Sequence, residues 1–234
     1  GKGTQPQMEK TWRLIVEGER EPAMNMAVDE AIMAKVADGS SMPALRIYKW
    51  LNPCISVGKF QDIDVAPGTE VVRRPTGGGS VPHGAEGFTY SMVYREGSGC
   101  ITKGAAASYN QIHGCVAEAL RSIGLEARLF TPGREPAKPF GECFSSPVQS
   151  DVMAGGRKVA GAAQRRKRGT VLHQGQVSLD LDVSGKWSYN AFQTAFINCL
   201  SKQLDLRFLE TRVSEEENNL AKELVMERNE EVTK

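Results

Sequence analysis

Residues 151–164 read Asp-Val-Met-Ala-Gly-Gly-Arg-Lys-Val-Ala-Gly-Ala-Ala-Gln, two strand-like runs separated by a glycine pair. A two-residue turn between such runs predicts a β-hairpin. Outward from this hairpin, periodicity predicts strands at 12–17, 45–50, 54–57, 71–74, 88–94 and within 170–182, and helices at 24–37, 106–123 and 186–203. Because strands and helices do not alternate regularly, the pattern predicts an α+β fold with a mixed, largely antiparallel sheet flanked by helices.

The composition excludes several classes of protein. The 234 residues are 40% hydrophobic, which is enough for one substantial core. The formal net charge of +1 lacks the basic excess of a bulk nucleic-acid binder. No run approaches the roughly 20 apolar residues of a membrane span. Five scattered cysteines without a Cys-x-x-Cys pair are typical of a reducing cytoplasm and argue against a disulfide framework or a zinc site.

A glycine-rich loop follows the strand predicted at 71–74. Residues 73–83 read Arg-Arg-Pro-Thr-Gly-Gly-Gly-Ser-Val-Pro-His, and three successive glycines let the backbone approach a ligand closely. A flexible hairpin turn is the simpler interpretation of an isolated glycine triplet. The flanking arginines and histidine favour a binding loop. Its candidate contacts are Arg74, Thr76, Gly77, Gly78, Gly79 and His83.

The hairpin carries a second set of candidates. Strand alternation predicts Lys158 and Ala160 on one face, with Val159 and Gly161 on the other. If Val159 faces the core, Lys158 faces a groove, and the small residues at 160–163 leave room for an extended apolar chain. From spacing alone, an ordinary edge hairpin with a solvated lysine is the favoured interpretation.

One of the five cysteines is a candidate nucleophile. Cys143 lies in the loop predicted at 131–146, where a thiolate would be accessible for attack and for carrying an acyl group. Cys115 and Cys199 fall on apolar helix stripes and Cys54 precedes a strand, so we expect these three to pack in the core. Cys100 lies in a Gly-Ser-Gly-Cys loop and is expected to be exposed without a role. Loop placement favours Cys143.

Taken in order, the motifs between residues 12 and 182 resemble the lipoate/octanoate acyltransferases and ligases, a family related to biotin protein ligase. They are Asn25-Met-Ala-x-Asp29-Glu-Ala, Leu45-Arg-x-Tyr48-x-Trp50, Ser56-x-Gly58-x-x-Gln61, the loop at 73–83, Gly156-Arg-Lys-Val-Ala-Gly161 and His173-Gln-Gly175. The resemblance implies a biotin-protein-ligase-like, class II synthetase-like catalytic domain over 12–212. A disordered segment at 1–11 and a charged C-terminal helix at 213–234 would flank it.

The position of Cys143, eight residues before Asp151, is similar to that in the cysteine-containing octanoyltransferase branch. The resemblance therefore implies transfer of an octanoyl or lipoyl group through a thioester on Cys143, with Lys158 as its catalytic partner. Gly161, Ala162 and Gln164 would complete the acyl pocket.

The same resemblance sets expectations for partners and cofactors. The donor would be an acyl-carrier protein or an acylated lipoyl domain. The acceptor would be a lipoyl-domain protein, such as the glycine cleavage H protein or a dehydrogenase E2. Transfer would need no cofactor. A cytoplasmic monomer is expected, without nucleic-acid or membrane partners.

Two alternatives remain open. An ATP-dependent lipoate-protein ligase would form a lipoyl-adenylate with ATP and magnesium, and Asp151 matches a position where ligases keep an acidic residue for metal and nucleotide. The intact glycine triplet also fits ligases, whereas Cys143 and the small room for an accessory C-terminal domain favour transfer. A non-catalytic acyl- or lipoate-binding protein would use the same pocket without turnover.

Overall fold

The computed structural model describes residues 10–134, 147–179 and 188–232. Within these ranges the chain forms eleven strands and four helices. The strands are β1 (Thr11–Arg20), β2 (Ala44–Trp50), β3 (Cys54–Val57), β4 (Val71–Arg73), β5 (Val81–His83), β6 (Gly87–Arg95), β7 (Ala127–Leu129), β8 (Val152–Ala154), β9 (Arg157–Lys167), β10 (Thr170–Ser178) and β11 (Arg207–Thr211). The helices are α1 (Pro22–Ala37), α2 (Ala105–Ser122), α3 (Tyr189–Gln203) and α4 (Glu215–Val232).

Eight strands form the main sheet, in the order β11-β1-β2-β6-β10-β9-β8-β7. Strand β1 is parallel to both of its neighbours, and every other pair in this sheet is antiparallel. A small sheet of order β4-β3-β5 holds the two ends of the glycine-rich loop, because β4 precedes the loop and β5 follows it. The predicted α+β class with a mixed, largely antiparallel sheet is confirmed.

Helices cover both faces of the main sheet. Successive residues of one strand point to opposite faces, so Met92 packs with α2 and α3 while Val93 packs with α1. In β10, Val171 likewise lies on the face of Met92, and Leu172 lies on the face of Val93. This double coverage explains why β10 is buried along almost its whole length.

The C-terminal helix α4 packs against α1. Its start is a capping box: the Ser214 side chain accepts from the amide of Glu217, and the Glu217 carboxylate accepts from the amide of Ser214. Glu217 is fully buried and forms a two-bond ion pair with Arg13 of β1. No helix in the described part of the chain has the length and apolar character needed to cross a bilayer.

Candidate active site

A cavity of about 410 Å³ opens between the small sheet, α1 and the β9–β10 hairpin, a size typical of small-molecule sites. Its inner wall is formed by the buried side chains of Met26, Tyr48 and Trp50. Val148 and Lys158 lie at its mouth. The other lining residues are Ser56, Gln61, Arg74, Gly78, Gly79, Ser80, Val81, His83, Thr89, Tyr109, Asp151, Gly161, Ala162, Ala163, Gln174, Gly175 and Gln176.

One side of the cavity, here called the glycine-loop wall, is built from residues 56–58, 74–83 and 176. Arg74 holds it together: one terminal nitrogen donates to the carbonyl of Ser56 at 2.9 Å, and the other donates to the carbonyls of Gly77 and Gly79 at 2.8 Å each. Burial lowers the pKa of Arg74 to about 10, which leaves the guanidinium charged near neutral pH. Arg74 thus acts as an internal clamp on the loop.

The loop lies so close to β3 that Gly58 cannot carry a side chain. A Cβ atom placed at Gly58 would lie 2.0 Å from the carbonyl oxygen of Gly78. Gly78 itself has φ near +90°, a left-handed conformation that L side chains rarely adopt. These two positions give the physical reason for glycine in the Ser56-x-Gly58 motif and in the middle of the triplet.

His83 is part of a chain of hydrogen bonds across this wall. Trp50 Nε1 donates to the Thr89 hydroxyl at 2.9 Å, and that hydroxyl donates to Gln176 Oε1. His83 Nδ1 contacts the same oxygen at 3.1 Å, and its Nε2 lies 2.6 Å from the Ser56 hydroxyl. A proton on Nδ1 satisfies every contact. Burial lowers the pKa of His83 to about 3, so the ring is neutral.

A second network lies beneath the inner wall and centres on Asp29, which is fully buried on α1. Its carboxylate accepts hydrogen bonds from Arg46, Tyr48, Ser91 and Gln174. Gln174 also accepts from the hydroxyl of Thr76, at 2.7 Å, and so connects the network to the glycine loop. The Asn25–Asp29 and Arg46–Tyr48 motifs are therefore supports for the cavity, a role that sequence reasoning did not assign to them.

The opposite side of the cavity, here called the lysine wall, comprises residues 148–151, 158 and 161–163. Lys158 Nζ lies 2.8 Å from Oδ2 of the fully buried Asp151. The amide of Val148 donates to the same oxygen, and the Tyr109 hydroxyl donates to Oδ1. Burial and then the neighbouring Asp151 raise the pKa of Tyr109, which keeps it protonated. The ammonium is thus held at the cavity mouth by a carboxylate with three donors.

The predicted alternation along β9 is wrong after Lys158. The register between β8 and β9 shifts by one residue, which is a β-bulge. Val159 and Ala160 are both buried in the core as a result, whereas Lys158 and Gly161 come to share a face. A Cβ at Gly161 would meet Lys158 Nζ at 2.9 Å. The expected apolar floor therefore consists of Ala162 and Ala163 without Ala160.

Three of the predicted contact residues do not line the cavity. Thr76 is fully buried behind the loop against Gln174, and Gly77 contributes its carbonyl to Arg74. The side chain of Gln164 lies beyond the lysine wall, where it hydrogen-bonds Ser108, Arg166 and the buried His173. The β-bulge explains why Gln164 does not line the cavity, because it changes which β9 side chains face the cavity. The lining residues that the sequence reasoning missed include Tyr109, Thr89, Val148 and Gln176.

Cys143 lies outside the described residues. Of the other four cysteines, Cys54 and Cys115 are buried and Cys100 is exposed, as expected. Cys199 is half-buried, whereas a place in the core was expected for it. Burial raises the pKa of both Cys54 and Cys115 to about 12, which makes each a poor nucleophile near neutral pH.

The described residues that line the cavity do not form a ready-made, all-protein magnesium site. Among the described residues, Asp151 is the single carboxylate that reaches the cavity, and its two oxygens already accept from Lys158, Tyr109 and the amide of Val148. Magnesium requires several oxygen ligands in near-octahedral geometry. No group of three or more potential ligands occurs in the described ranges.

Comparison with solved structures gives the same fold. A T. acidophilum protein solved with bound lipoic acid superposes with a TM-score of 0.74 and 25% identity, covering 93% of this chain and 95% of that one. A lipoate-protein ligase A bound with ATP superposes with a TM-score of 0.75 and 24% identity, covering 92% and 94%. The fold is therefore the class II synthetase-like α+β fold.

Sequence comparison identifies the family within that class. The model of the lipoyl protein ligase A/B catalytic domain matches residues 21–210. The octanoyltransferase LipM of Kyrpidia tusciae is 39% identical over 186 residues, 74% of this chain and 68% of that protein. The LipM of Bacillus subtilis is 35% identical over 187 residues, covering 74% and 67%. The chain belongs to the lipoyl protein ligase A/B catalytic domain family, and it is an acyltransferase.

Proposed function

We propose that this acyltransferase moves an octanoyl group from a carrier-protein thioester onto a lysine of a lipoyl-type domain through an acyl-enzyme on Cys143. The LipM relatives are named octanoyltransferases, which supports octanoyl as the group transferred. An acyl-carrier protein is the proposed donor, and a lipoyl-domain protein is the proposed acceptor. A thioester already carries an activated acyl group, so this transfer needs no cofactor.

The observation that carries the proposal is the position of Lys158. Its ammonium lies 2.8 Å from Asp151 at the mouth of an acyl-sized cavity. In the sequence, Cys143 stands five positions before Val148, another residue of the mouth. A cation of this kind favours the thiolate form of a nearby cysteine.

The transfer takes two steps. The Cys143 thiolate attacks the carbonyl carbon of the donor thioester, a new C–S bond forms, and the carrier thiolate leaves and takes up a proton. The amine of the acceptor lysine then attacks the acyl-enzyme, an amide forms, and the Cys143 thiolate leaves. Lys158 is proposed to relay the proton: its ammonium protonates the departing carrier thiolate in the first step, and the neutral amine so formed takes the proton that the attacking lysine amine loses in the second.

Two peptide groups of the glycine-loop wall are suited to stabilise the oxyanion formed in each step. Because a trans peptide points its N–H opposite to its carbonyl, the clamp of Arg74 on the Gly77 and Gly79 carbonyls turns the amides of Gly78 and Ser80 away from Arg74. Such donors typically contribute about a hundredfold to a thousandfold in rate each. The amide of Ala162 is not proposed for this role, since it donates to Tyr109.

The inner wall suits an apolar chain. The polar ends of Tyr48 and Trp50 are bound to Asp29 and Thr89, so their rings can contact an acyl group without leaving a polar atom unpaired. Met26 adds a flexible side chain at the same wall.

The test is intact-mass spectrometry after incubation with octanoyl-acyl-carrier protein. The wild type should gain one octanoyl group, Cys143→Ala should gain none, and Cys100→Ala is the matched control because Cys100 is an exposed cysteine outside the cavity. Transfer from the isolated acyl-enzyme to a lipoyl domain completes the assay. Equal labelling of wild type and Cys143→Ala would refute the acyl-enzyme.

A second arm of the experiment tests the principal alternative, an ATP-dependent lipoate-protein ligase. Free lipoate, ATP and magnesium replace the acylated carrier, and modification of the lipoyl domain is measured with Cys143→Ala. Lipoylation by that variant would establish adenylate chemistry instead. Binding of octanoate or lipoate with no product in either arm would identify a non-catalytic binding protein.

A further inference from the structure

The turn that precedes β8 has an unusual backbone. Ser150 has φ near +70°, in the left-handed region that residues other than glycine seldom adopt. Such a conformation is strained and persists only when its surroundings hold it. Asp151, which binds Lys158, is the next residue.

The first half of α2 holds this turn. Asn110 donates to the hydroxyl of Ser150 at 3.0 Å, and the Nδ1 atom of His113 lies 2.7 Å from the carbonyl oxygen of Ser150. Tyr109, one helical turn before His113, donates to Asp151 on the same face of the helix. Three side chains of one rigid element therefore fix two successive residues.

His113 lies in the core, where its polar ring makes the folded protein less stable than an apolar side chain would. It is fully buried beside the apolar residues Ile112 and Val116, and its Nε2 atom has no hydrogen-bond partner among the described residues. Burial lowers its pKa to about 4, so the ring is neutral and Nδ1 carries the proton that the Ser150 carbonyl accepts. An apolar side chain at position 113 would leave no unpaired nitrogen. The benefit of a histidine at this position is therefore its Nδ1–H group, which donates to the Ser150 carbonyl.

We propose that His113 is a positioning residue for the acyl transfer: by holding the Ser150 carbonyl, it orients Asp151 and thereby keeps the Lys158 ammonium at the cavity mouth. The proposal rests on the proposed function. The link is direct, because the Ser150 carbonyl and the Asp151 amide belong to one planar peptide group. If that plane turns, the carboxylate bound to Lys158 turns with it.

The experiment compares two substitutions with a core control. His113→Leu removes the donor, His113→Asn keeps an N–H donor close to the Nδ1 position, and Cys115→Ala changes a buried residue of α2 that contacts Cys199 of α3. His113→Leu should lower kcat for octanoyl transfer about tenfold to a hundredfold with KM within twofold of wild type, since small misplacements have effects of this size. His113→Asn should recover most of kcat, and Cys115→Ala should keep it.

A rescue variant excludes a general loss of structure. Glycine adopts positive φ without strain, so Ser150→Gly should make the turn less dependent on its clamp. The double variant His113→Leu, Ser150→Gly should therefore recover part of the kcat lost in His113→Leu. Wild-type kcat in His113→Leu, or equal losses in His113→Leu and His113→Asn without rescue, would overturn the proposal.

Hydrogen exchange of residues 147–152, followed by mass spectrometry, provides a readout that does not depend on activity. The amide of Val148 donates to Asp151 and the amide of Ser150 to the carbonyl of Phe130, so both should exchange slowly in the wild type. Protection should fall in His113→Leu and persist in His113→Asn. If the wild type is not acylated at all, the proposed function fails while this measurement still decides whether His113 holds the turn at Ser150.

Discussion

The two walls of the cavity differ in how their cations are used. Arg74 on the glycine-loop wall donates its hydrogen bonds to Ser56 and the loop carbonyls. No carboxylate of the described residues forms an ion pair with it. Lys158 on the lysine wall is held by a carboxylate at the mouth, where its ammonium can meet reacting groups. A charged residue in a predicted binding motif can therefore be structural, and the partner it binds decides which role it has.

The largest effect is expected when the lysine wall loses its cation. Lys158→Met should reduce the rate of Cys143 octanoylation by about a hundredfold to ten-thousandfold, the range associated with a positioned acid or base. Rates are measured by rapid quench and mass spectrometry, at a temperature where thermal unfolding shows the variant folded. Lys167→Met, an exposed lysine of the same strand, is the control. A loss smaller than tenfold would remove Lys158 from the chemistry.

Matched glycine substitutions should separate the two walls. In Gly58→Ala the new methyl group meets the backbone oxygen of Gly78 at 2.0 Å, so the loop must move and the free energy of unfolding should fall by about 1–3 kcal/mol. In Gly161→Ala the methyl group meets the flexible end of Lys158, which can move away. That variant should keep its stability and lose up to about a hundredfold in kcat.

Urea unfolding and steady-state kinetics on both glycine variants check this contrast. A stable Gly58→Ala with normal kcat would mean that the glycine loop does not need its close approach to β3. A destabilised Gly161→Ala would mean that the lysine wall is as rigid as the opposite wall.

The sequence predicted the walls better than it predicted their details. Glycine and strand patterns located the loop at 73–83 and the hairpin at 151–164, because backbone freedom and alternation are local properties. The bulge after Lys158 depends on how β9 pairs with β8, so it moved Ala160 and Gln164 without any local signal. Strands β5, β7 and β11 are short and were not predicted, although the equally short β4 and β8 were.

The buried histidine of the glycine-loop wall predicts a pH effect on stability. The pKa of His83 is lowered from 6.5 to about 3 by burial, so below pH 6.5 the unfolded chain binds a proton that the folded chain does not. Stability should therefore fall as the pH falls, with the contribution of His83 approaching a slope of about 1.4 kcal/mol per pH unit well below pH 6.5. Urea unfolding of wild type and His83→Gln between pH 7 and 5 measures the contribution of His83 to the pH dependence of the free energy of unfolding. Identical slopes would show that His83 is accessible to protons when folded.

The smallest effect is expected outside both walls, at the start of α4. Ser214→Ala removes the acceptor for the amide of Glu217 and should lower the free energy of unfolding by about 1 kcal/mol. The octanoylation rate should not change, because α4 reaches the cavity only indirectly, through its packing on α1. Urea unfolding and the octanoylation assay measure the two quantities on the same sample. A change in rate would show that α4 and α1 transmit strain to the inner wall, so that the support of the cavity extends to the C-terminal helix.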